Sequence, residues 1–458
     1  MLPPLKIIRA GLRRTTEALA SELACPGGPT PTWSELDWQL AMAAATAHGV
    51  SPLLRKHSGW THPRWRQFLE NQHEEVAIRH RRIAALLEHI DARSHAAGLA
   101  MVPLKGAALH ALGLYTPGDR PMADIDLLVR EEDVHAATRL LLGIGYVPSF
   151  DDWRHRVFKP AAGVPPAVLG EHRDTPVNIE LHARIRERLP VSVVDITERI
   201  LRREPRPGLN PYPSRSALLA HLLLHAAGNM CGRSLRLMHL HDIALLARSM
   251  QPEEWIFLWR GRACWWALPP LQMVARHYQD AIPDTVLATL ARDCPPLLRA
   301  VSRRRTLAQV SCSELWLHAF PGLEWSRGPL DAARFVAGRI RRSPEQLRER
   351  NDMARAQLWL RDRDWVMAPQ PRRILTWLTR KVPRMDMMYA VRMALAHAIS
   401  EGGENDATVS AEPGAAVAKR VEEAPVREST ESFRHHPDLE PPAAAAQGSR
   451  FGSRANLS

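Results

Sequence analysis

The spacing of apolar residues predicts α-helices at both ends of the chain. Between residues 33 and 98, apolar positions recur at three- and four-residue intervals, as in SELDWQLAMAAATAHGVSPLL and FLENQHEEVAIRHRRIAALLEHI. The same spacing returns between about 190 and 400, as in SRSALLAHLLLHAAGNM and LMHLHDIALLARSM. Such spacing collects apolar side chains on one face of a helix. It predicts a helical N-terminal region at 1–98 and a helical C-terminal domain at 191–400.

The pattern changes between residues 99 and 190. Short apolar runs, LAMVPL, ADIDLLV and VNIEL, alternate with the helix-like EEDVHAATRLLLGIG and with turn signals such as YTPGDRP. Alternation of short strands with helices is typical of a small α/β core. The predicted fold class is therefore α+β, with a small α/β domain between N-terminal helices and a helical C-terminal domain.

Residues 401–458 are rich in Glu, Ala, Pro, Gly and Ser and poor in large apolar groups. Such a segment cannot bury enough apolar surface to offset the entropy lost on ordering. We therefore expect a disordered tail.

The composition is that of an ordinary folded protein, with 45% hydrophobic and 24% charged residues among 458. No run approaches the roughly 18 consecutive apolar residues of a transmembrane helix, and the first residues lack the apolar stretch of a secretion signal. These observations favour a cytoplasmic protein without a transmembrane segment.

The cysteines are scattered, which argues against a disulfide framework or a thiolate zinc site. They are Cys25, Cys231, Cys264, Cys294 and Cys312.

The formal net charge of +12 would suit a polyanionic partner. Only six of the 61 basic residues are lysine, however, and an arginine excess often follows genomic base composition. A basic segment at 299–385 remains a candidate for peripheral contact with RNA or a membrane surface. Its arginines include Arg303, Arg304, Arg305, Arg341 and Arg342.

Two aspartates lie two residues apart in ADIDLLV. If this segment is a strand, Asp124 and Asp126 share one face, and Ile125 and Leu127 point the opposite way. The carboxylates would lie about 7 Å apart along the strand and could together bind a divalent cation, or clamp two. Without a cation the pair would repel. The spacing therefore predicts a metal site.

The segment VNIELH repeats this arrangement. Ile179 and Leu181 would be buried, and Glu180 would point the other way with His182. Pairing with the first strand would bring Glu180 to the two aspartates as a third carboxylate. Magnesium with a triphosphate would balance these charges. We predict metal binding and catalysis by Asp124, Asp126 and Glu180, and a nucleotide- or phosphate-binding role for His182.

The residues after LAMVPL suit a phosphate. Lys105, Gly106 and Ala107 would stand where a strand runs into a helix, and free N–H groups at a helix N-terminus favour anions. Gly106 would allow close backbone approach, and Lys105 would add a cation near the β- or γ-phosphate. Arg120, just before the aspartates, is a second candidate phosphate contact.

These motifs carry a resemblance to a known family. The run LKGAALHALGLYTPGDRPMADIDLLV, with NIELHARI downstream, resembles the uncharacterised bacterial nucleotidyltransferase family of the DNA polymerase β-like superfamily. The resemblance covers about residues 85–250 and is specific around 103–129. It implies a minimal nucleotidyltransferase mixed-sheet domain, two magnesium ions and a nucleoside triphosphate donor.

Matched by position, Gly106 corresponds to the glycine of the family's loop. Asp124 and Asp126 correspond to the paired carboxylates, and Glu180 to the third. The superfamily loop has Gly-Ser, whereas Gly106 here precedes Ala107. Lys105 is therefore expected to replace the missing hydroxyl contact.

The resemblance implies transfer of a nucleoside monophosphate to an unidentified hydroxyl acceptor, with release of pyrophosphate. Asp124 and Asp126 would hold the magnesium that bridges the triphosphate, and Glu180 would complete a second ion and help remove the hydroxyl proton. The acceptor is left open among small molecules, proteins and RNA. One alternative is a non-catalytic protein of the same fold that binds nucleotide or a partner. The other is the basic RNA- or membrane-surface-binding protein described above.

Two groups of residues have open interpretations. Zinc binding or a hydrogen-bonded core role would suit His221, His225, His239 and His241, and the lack of an HExxH motif favours the core role. His225 and Asp242 also resemble helical positions of the family beside the cleft.

A cluster of aromatic residues is typical of a helical core, with a platform for a base or lipid as the alternative. Its members are Trp255, Trp259, Trp265, Trp266 and Tyr278.

Overall fold

The protein is described by a computed structural model over residues 2–151, 153–163, 166, 168–190, 192–259, 264–356, 360 and 368–407. Residues up to Asp406 belong to one compact unit. In chain order the helices are α1 Leu5–Ala24, α2 Glu35–His48, α3 Ser51–His57, α4 Pro63–Ala96, α5 Lys105–Ala111, α6 Val134–Gly143, α7 Thr197–Ile200, α8 Arg215–Gly232, α9 Leu237–Arg248, α10 Pro252–Trp259, α11 Leu268–His277, α12 Asp284–Asp293, α13 Pro296–Ser302, α14 Leu307–Val310, α15 Pro329–Ile340, α16 Pro344–Ala356, α17 Gln370–Thr379 and α18 Met385–Ala407. The strands are β1 Ala100–Pro103, β2 Asp124–Leu128, β3 Tyr146–Asp151, β4 His155–Pro160, β5 Asn178–His182, β6 Arg186–Leu189, β7 Ser192–Asp195 and β8 Gly208–Leu209.

Six strands form one mixed sheet in the order β3-β4-β5-β2-β1-β8, and β6 pairs with β7 separately. Strand β2 runs parallel to β5 and antiparallel to β1, and β5 runs antiparallel to β4. The helices surround this sheet, so the predicted α+β class is confirmed. The predicted strands LAMVPL, ADIDLLV and VNIEL are also confirmed, as β1, β2 and β5.

The sheet reaches beyond the range 99–190 that the sequence assigned to it. Strand β8 pairs in parallel with β1, through Ala100 with Gly208 and Met101 with Leu209. A strand of two residues is too short to show an alternating pattern, which explains why the sequence did not indicate it. The predicted region boundaries at 98, 190 and 400 otherwise stay predictions.

Helix α18 continues through Ala407. The predicted disordered tail at 401–458 stays a prediction. Its residues 408–458 lie outside the described residues.

The two faces of the sheet have different partners. Ile125 and Leu127 of β2 and Ile179 of β5 are buried in an apolar cluster with residues of α4 and α6, including Ile83 and Leu141. Because side chains alternate along a strand, the acidic residues between these positions face the opposite side. The period-two pattern thus separates a packed face from a polar one.

The helices at the two ends of the chain share a second apolar core. Ile8 and Leu12 of α1 belong to the same cluster as Leu219 of α8 and Leu240 of α9. Helix α8 is buried on nearly all sides, as expected of a helix that is apolar around its circumference. Its first turn is capped by the Ser214 hydroxyl, which accepts from the Ala217 N–H at 3.1 Å.

The aromatic cluster also belongs to this core. The side chains that the structure describes are at most 4% exposed, which confirms the packing interpretation over a surface platform; they are those of Trp255, Trp265, Trp266 and Tyr278. The Trp259 side chain lies outside the described part. Within the described ranges, no helix is both long enough and apolar enough to cross a membrane.

His48, at the end of α2, is a fully buried neutral residue. Its Nδ1 accepts from the Leu237 N–H at 2.8 Å, and its Nε2 lies 2.9 Å from the Ser313 hydroxyl. Burial, with a smaller contribution from the Arg236 charge, lowers the pKa of His48 to about 3. The folded protein therefore resists protonation that the unfolded chain undergoes near pH 6.5.

We expect His48 alone to lower the free energy of unfolding by about 2 kcal/mol between about pH 7 and about pH 5. The unfolded state takes up a proton in this window and the folded state does not, so stability decreases as the pH falls. Urea unfolding across the window should give a shallower pH slope for His48→Asn than for the parent protein. The half-buried loop residue His172 supplies a control, His172→Asn. Equal slopes for His48→Asn and the parent would contradict the prediction.

Candidate active site

A cleft of about 380 Å³ lies between the polar face of the sheet and helices α8 and α9. Every residue that the sequence analysis assigned to the site lines it. These are Lys105, Gly106, Ala107, Arg120, Asp124, Asp126, Glu180 and His182. The sequence therefore located the cleft, and the contacts within it determine what each residue can do.

Strand register brings two of the predicted carboxylates side by side. In the parallel β2–β5 pair, Asp126 is opposite Glu180, and Asp124 is opposite Asn178. Neighbouring strands lie about 4.8 Å apart, and paired residues point to the same face. Asp126 and Glu180 are thus fixed as neighbours by backbone hydrogen bonds, with Asp124 two residues back on the same face.

Asp126 is the most tightly held acid of the site. Lys105 Nζ donates to its Oδ1 at 2.8 Å, and His182 Nε2 lies 2.9 Å from the same oxygen. Burial alone would raise the pKa of Asp126, but the Lys105 charge and the His182 hydrogen bond outweigh it and hold that pKa well below its usual range. Asp126 is therefore a carboxylate at neutral pH.

Asp124 is in the opposite situation. No residue in the described part of the chain forms a hydrogen bond or ion pair with its carboxylate. Burial and the charges of Glu180 and Asp126 raise the pKa of Asp124 to about 7. Asp124 thus lies buried beside two other carboxylates without a counter-ion of its own, which is a property of sites built for a cation.

Glu180 lies between two histidines. His155 Nε2 of β4 is 3.5 Å from its Oε1, and His182 Nε2 is 3.7 Å from its Oε2. His155, Glu180 and His182 form the one group in the described residues whose potential metal-ligand atoms, one from each residue, all lie within 4.8 Å of one another. Asp124 and Asp126 do not belong to that set, so the three predicted carboxylates are close without being gathered around one point.

His155 was missed by the sequence analysis. It is opposite His182 in the antiparallel β4–β5 pair, and the two rings are 4.9 Å apart between centroids. The segment around it has no distinctive motif, and only the strand order β4-β5-β2 brings it to the site. An alternating pattern in HRVFKP was the available signal, because it would have placed His155 on a strand.

Lys105 has an unusual backbone conformation, with φ of +46°. This left-handed region is costly for a residue with a Cβ, typically about 1–3 kcal/mol, and is found mainly where the surrounding structure enforces it. The preceding Leu104 N–H donates to Asp126 O at 2.9 Å. The turn from β1 into α5 is thus anchored on β2 beside the acid that Lys105 contacts.

The predicted phosphate loop is more enclosed than expected. A Cβ on Gly106 would overlap Arg120 Nη1 and lie 3.0 Å from Met122 Sδ, so glycine is required here for the packing of the following loop. The Ala107 N–H donates to Leu104 O at 3.2 Å. Arg120 and Met122 lie where a Cβ on Gly106 would point, and phosphate binding by Gly106 and Ala107 stays a prediction.

Arg120 is held by a buried aspartate of α9. Its Nε and Nη2 donate to the two oxygens of Asp242 at 2.9 and 2.8 Å, and the Tyr115 hydroxyl donates to Asp242 at 2.7 Å. Asp242 is 1% exposed. Tyr115 and Arg120 thus fasten the loop before β2 to the helical layer, and a phosphate contact by Arg120 stays a prediction.

A second arginine holds the same loop from the other side. Arg79 of α4 is 2% exposed and donates to Met122 O at 2.9 Å and Ala123 O at 3.3 Å. The residues just before Asp124 are therefore clamped between α4 and α9. Such support fixes the position of a ligand side chain more closely than a free loop would.

Positive charge enters the cleft from the helical side. Arg236, at the start of α9, is exposed, lines the cleft and forms no ion pair with any residue that the structure describes. Its charge is among those that lower the pKa of Asp124, which places it near the acids. Lys105 and Arg236 thus offer cations on two sides of the cleft.

The four helical histidines are engaged separately. His221 Nδ1 lies 2.7 Å from the Tyr212 hydroxyl, His241 Nδ1 lies 3.2 Å from the Tyr278 hydroxyl, and the His225 and His239 rings are 4.9 Å apart. Burial lowers the pKa of all four. Within the described residues none of them belongs to a potential metal-ligand set, so the hydrogen-bonded interpretation is favoured.

Comparison with known proteins agrees with this architecture. A search of curated proteins and a search of solved structures each found no match. A family model described as an uncharacterised nucleotidyltransferase matches residues 34–282, which is more than half of the chain. The match includes the acidic strands β2 and β5 and the helices α8 and α9 that close the cleft. The chain therefore belongs to this family of uncharacterised nucleotidyltransferases.

Proposed function

We propose that the protein transfers a nucleoside monophosphate from a nucleoside triphosphate to a hydroxyl acceptor and releases pyrophosphate. The observation that carries the proposal is the β2–β5 register, which puts Asp126 beside Glu180 on the cleft face with Asp124 on the same face. Membership of a nucleotidyltransferase family supports the reaction class. Divalent metal, the donor and the roles of individual residues belong to the proposal.

The residues present fit a divalent cation. Three carboxylates line one cleft, and burial together with the charges of Glu180 and Asp126 raises the pKa of Asp124 to about 7. Asp124, Asp126 and Glu180 would hold Mg²⁺, two ions in the form we favour. The ion would supply charge neutralisation on the phosphate oxygens and a template for in-line displacement.

The chain's own groups would do the remaining work by position and charge. Lys105 Nζ, which donates to Asp126 Oδ1, would contact a phosphate oxygen of the bound triphosphate. Arg236 would contact the same phosphates from the start of α9. The acceptor oxygen would form a bond to the α-phosphorus as the bond to pyrophosphate breaks. Glu180 would accept the hydroxyl proton.

The test uses purified protein with Mg²⁺, cell extract and triphosphates labelled at either the α- or the γ-phosphorus. We expect α-label to appear on an acceptor and γ-label only in pyrophosphate. Asp126→Asn, which removes the central charge, should give no labelled acceptor. Transfer of γ-label would indicate a phosphotransferase instead. Equal labelling by Asp126→Asn would contradict transfer at this site. Triphosphate binding without transfer to any acceptor in the extract would favour the nucleotide-binding alternative.

A cytoplasmic location is part of the same proposal, since donor triphosphates and Mg²⁺ are abundant there. The basic segment 299–385 carries exposed arginines, Arg303, Arg304 and Arg341. Nothing in their contacts favours a polyanion over solvent, so RNA or membrane binding remains the less supported alternative. A weak dependence of any RNA binding on salt would argue against it further.

A further inference from the structure

Two histidines and a glutamate form a compact set at the edge of the acidic cleft, on strands β4 and β5. His155, Glu180 and His182 each offer one ligand atom, and these three atoms all lie within 4.8 Å of one another. The set is sheltered, because the side chains of His155 and His182 are 8% and 7% exposed and that of Glu180 is 20% exposed. It is therefore a largely buried cluster of potential ligands in the wall of the cleft.

The spacing of these atoms matches a first coordination sphere. Ligands bound at about 2.1 Å to a tetrahedral ion lie about 3.4 Å apart. The measured separations are 3.5 Å for His155 Nε2 to Glu180 Oε1 and 3.7 Å for His182 Nε2 to Glu180 Oε2. His182 Nε2 also forms a hydrogen bond of 2.9 Å with Asp126 Oδ1, which coordination of an ion by this nitrogen would replace. The atoms thus need little movement to reach an ion placed among them.

The backbone keeps these ligands together. His155 and His182 are directly paired across β4 and β5, and Glu180 is two residues before His182 on the same face. Ligands on adjacent strands of a sheet are positioned more accurately than ligands on loops. The arrangement therefore has the rigidity of a built site.

The ligand types select the metal. Mg²⁺ prefers oxygen ligands and water, whereas imidazole suits zinc and related transition metals, and two histidines with one carboxylate are a known catalytic zinc set. We propose that His155, Glu180 and His182 form a site for a divalent first-row transition-metal ion such as Zn²⁺. The inference rests on the proposed function in one respect, since Glu180 also serves the proposed catalytic ions. Binding by the two histidines does not depend on transfer activity.

Cobalt absorption tests the site without reference to activity. The full-length, tag-free protein is freed of metal and titrated with Co²⁺, whose visible bands become intense when protein ligands change its geometry from octahedral to tetrahedral. We expect one equivalent to give intense bands that Zn²⁺ abolishes and excess Mg²⁺ does not. His155→Asn and His182→Asn should lose the bands, and Asp124→Asn and the loop control His172→Asn should keep them. Weak octahedral bands in the parent protein, or intense bands in folded His155→Asn, would overturn the proposal.

X-ray absorption at the zinc edge provides a second measurement that needs no variant. Zinc-loaded parent protein should show scattering from two imidazole rings, and a shell of oxygen atoms only would overturn the proposal. The two hypotheses fail separately. Nucleotide transfer with Mg²⁺ and no imidazole-bound metal would remove this inference alone, whereas an imidazole-bound metal with no transfer by any preparation would remove the proposed function alone.

Discussion

Asp124→Asn is expected to lower nucleotide transfer by about 1000-fold, equivalent to about 4 kcal/mol of transition-state stabilisation. Asparagine keeps the size of the side chain and removes the charge that would hold a bridging cation. The same substitution should stabilise the metal-free protein. In that state Asp124 is repelled by Glu180 and Asp126, and loss of its charge should raise the free energy of unfolding by about 2 kcal/mol at neutral pH.

The opposite signs make the prediction specific to a cation site. Substitution of a residue that only supports the fold would lower both stability and activity. Substitution of a metal ligand in a repulsive cluster lowers activity and raises stability. Since the folded-state pKa of Asp124 is raised to about 7, its destabilising effect is present above that pH and disappears as the pH falls toward the ordinary aspartate range. The stability that Asp124→Asn gains over the parent protein should therefore decrease as the pH falls.

The measurements are initial rates with saturating Mg²⁺ and thermal unfolding in the presence of a chelator. Asp174→Asn is the matched control, because its carboxylate is 77% exposed and belongs to the same part of the chain. It should change neither quantity appreciably. A destabilised Asp124→Asn protein, or one with full activity, would show that Asp124 is not a ligand in a charged cluster.

The strands that carry the acids could be predicted because alternation is a local property. Asp124 and Asp126 with Ile125 and Leu127, and Glu180 with Ile179 and Leu181, each showed a polar and an apolar face within five residues. The register that puts Asp126 beside Glu180 could only be assumed from the sequence, because strand pairing joins segments far apart in the chain. The family resemblance supplied the correspondence of Glu180 to the third carboxylate of the site.

The supporting contacts could not be predicted, for the same reason. Arg120 looked like a phosphate ligand because it precedes the aspartates, and its actual partner, Asp242, is 122 positions away on α9. His155 and Arg79 likewise reach the site from β4 and α4 through tertiary packing. Local sequence patterns predict which face a side chain occupies, and they do not predict which distant group neutralises it.

Asp242→Asn is expected to destabilise the folded protein by about 3 kcal/mol. The Arg120 guanidinium is 10% exposed and the Asp242 side chain 1% exposed, so removal of the acid leaves a buried charge without its counter-ion. Burial would raise the pKa of Asp242, but the Arg120 charge and hydrogen bonds outweigh it and lower that pKa. The contribution is therefore present above the ordinary aspartate range and is lost only as the pH falls through the lowered value.

Three comparisons separate this ion pair from general damage to the core. Tyr115→Phe removes one hydrogen bond to Asp242 and should cost only about 1 kcal/mol. Glu70→Gln breaks the Arg55–Glu70 pair, whose side chains are 39% and 56% exposed, and should cost less than about 1 kcal/mol. Arg120→Leu combined with Asp242→Leu should be less harmful than Asp242→Asn alone, because no charge is then left buried without a partner. If urea unfolding shows the double variant to be as unstable as the sum of the two single leucine variants, then the pair is not coupled, and the loop before β2 is held to α9 by packing alone.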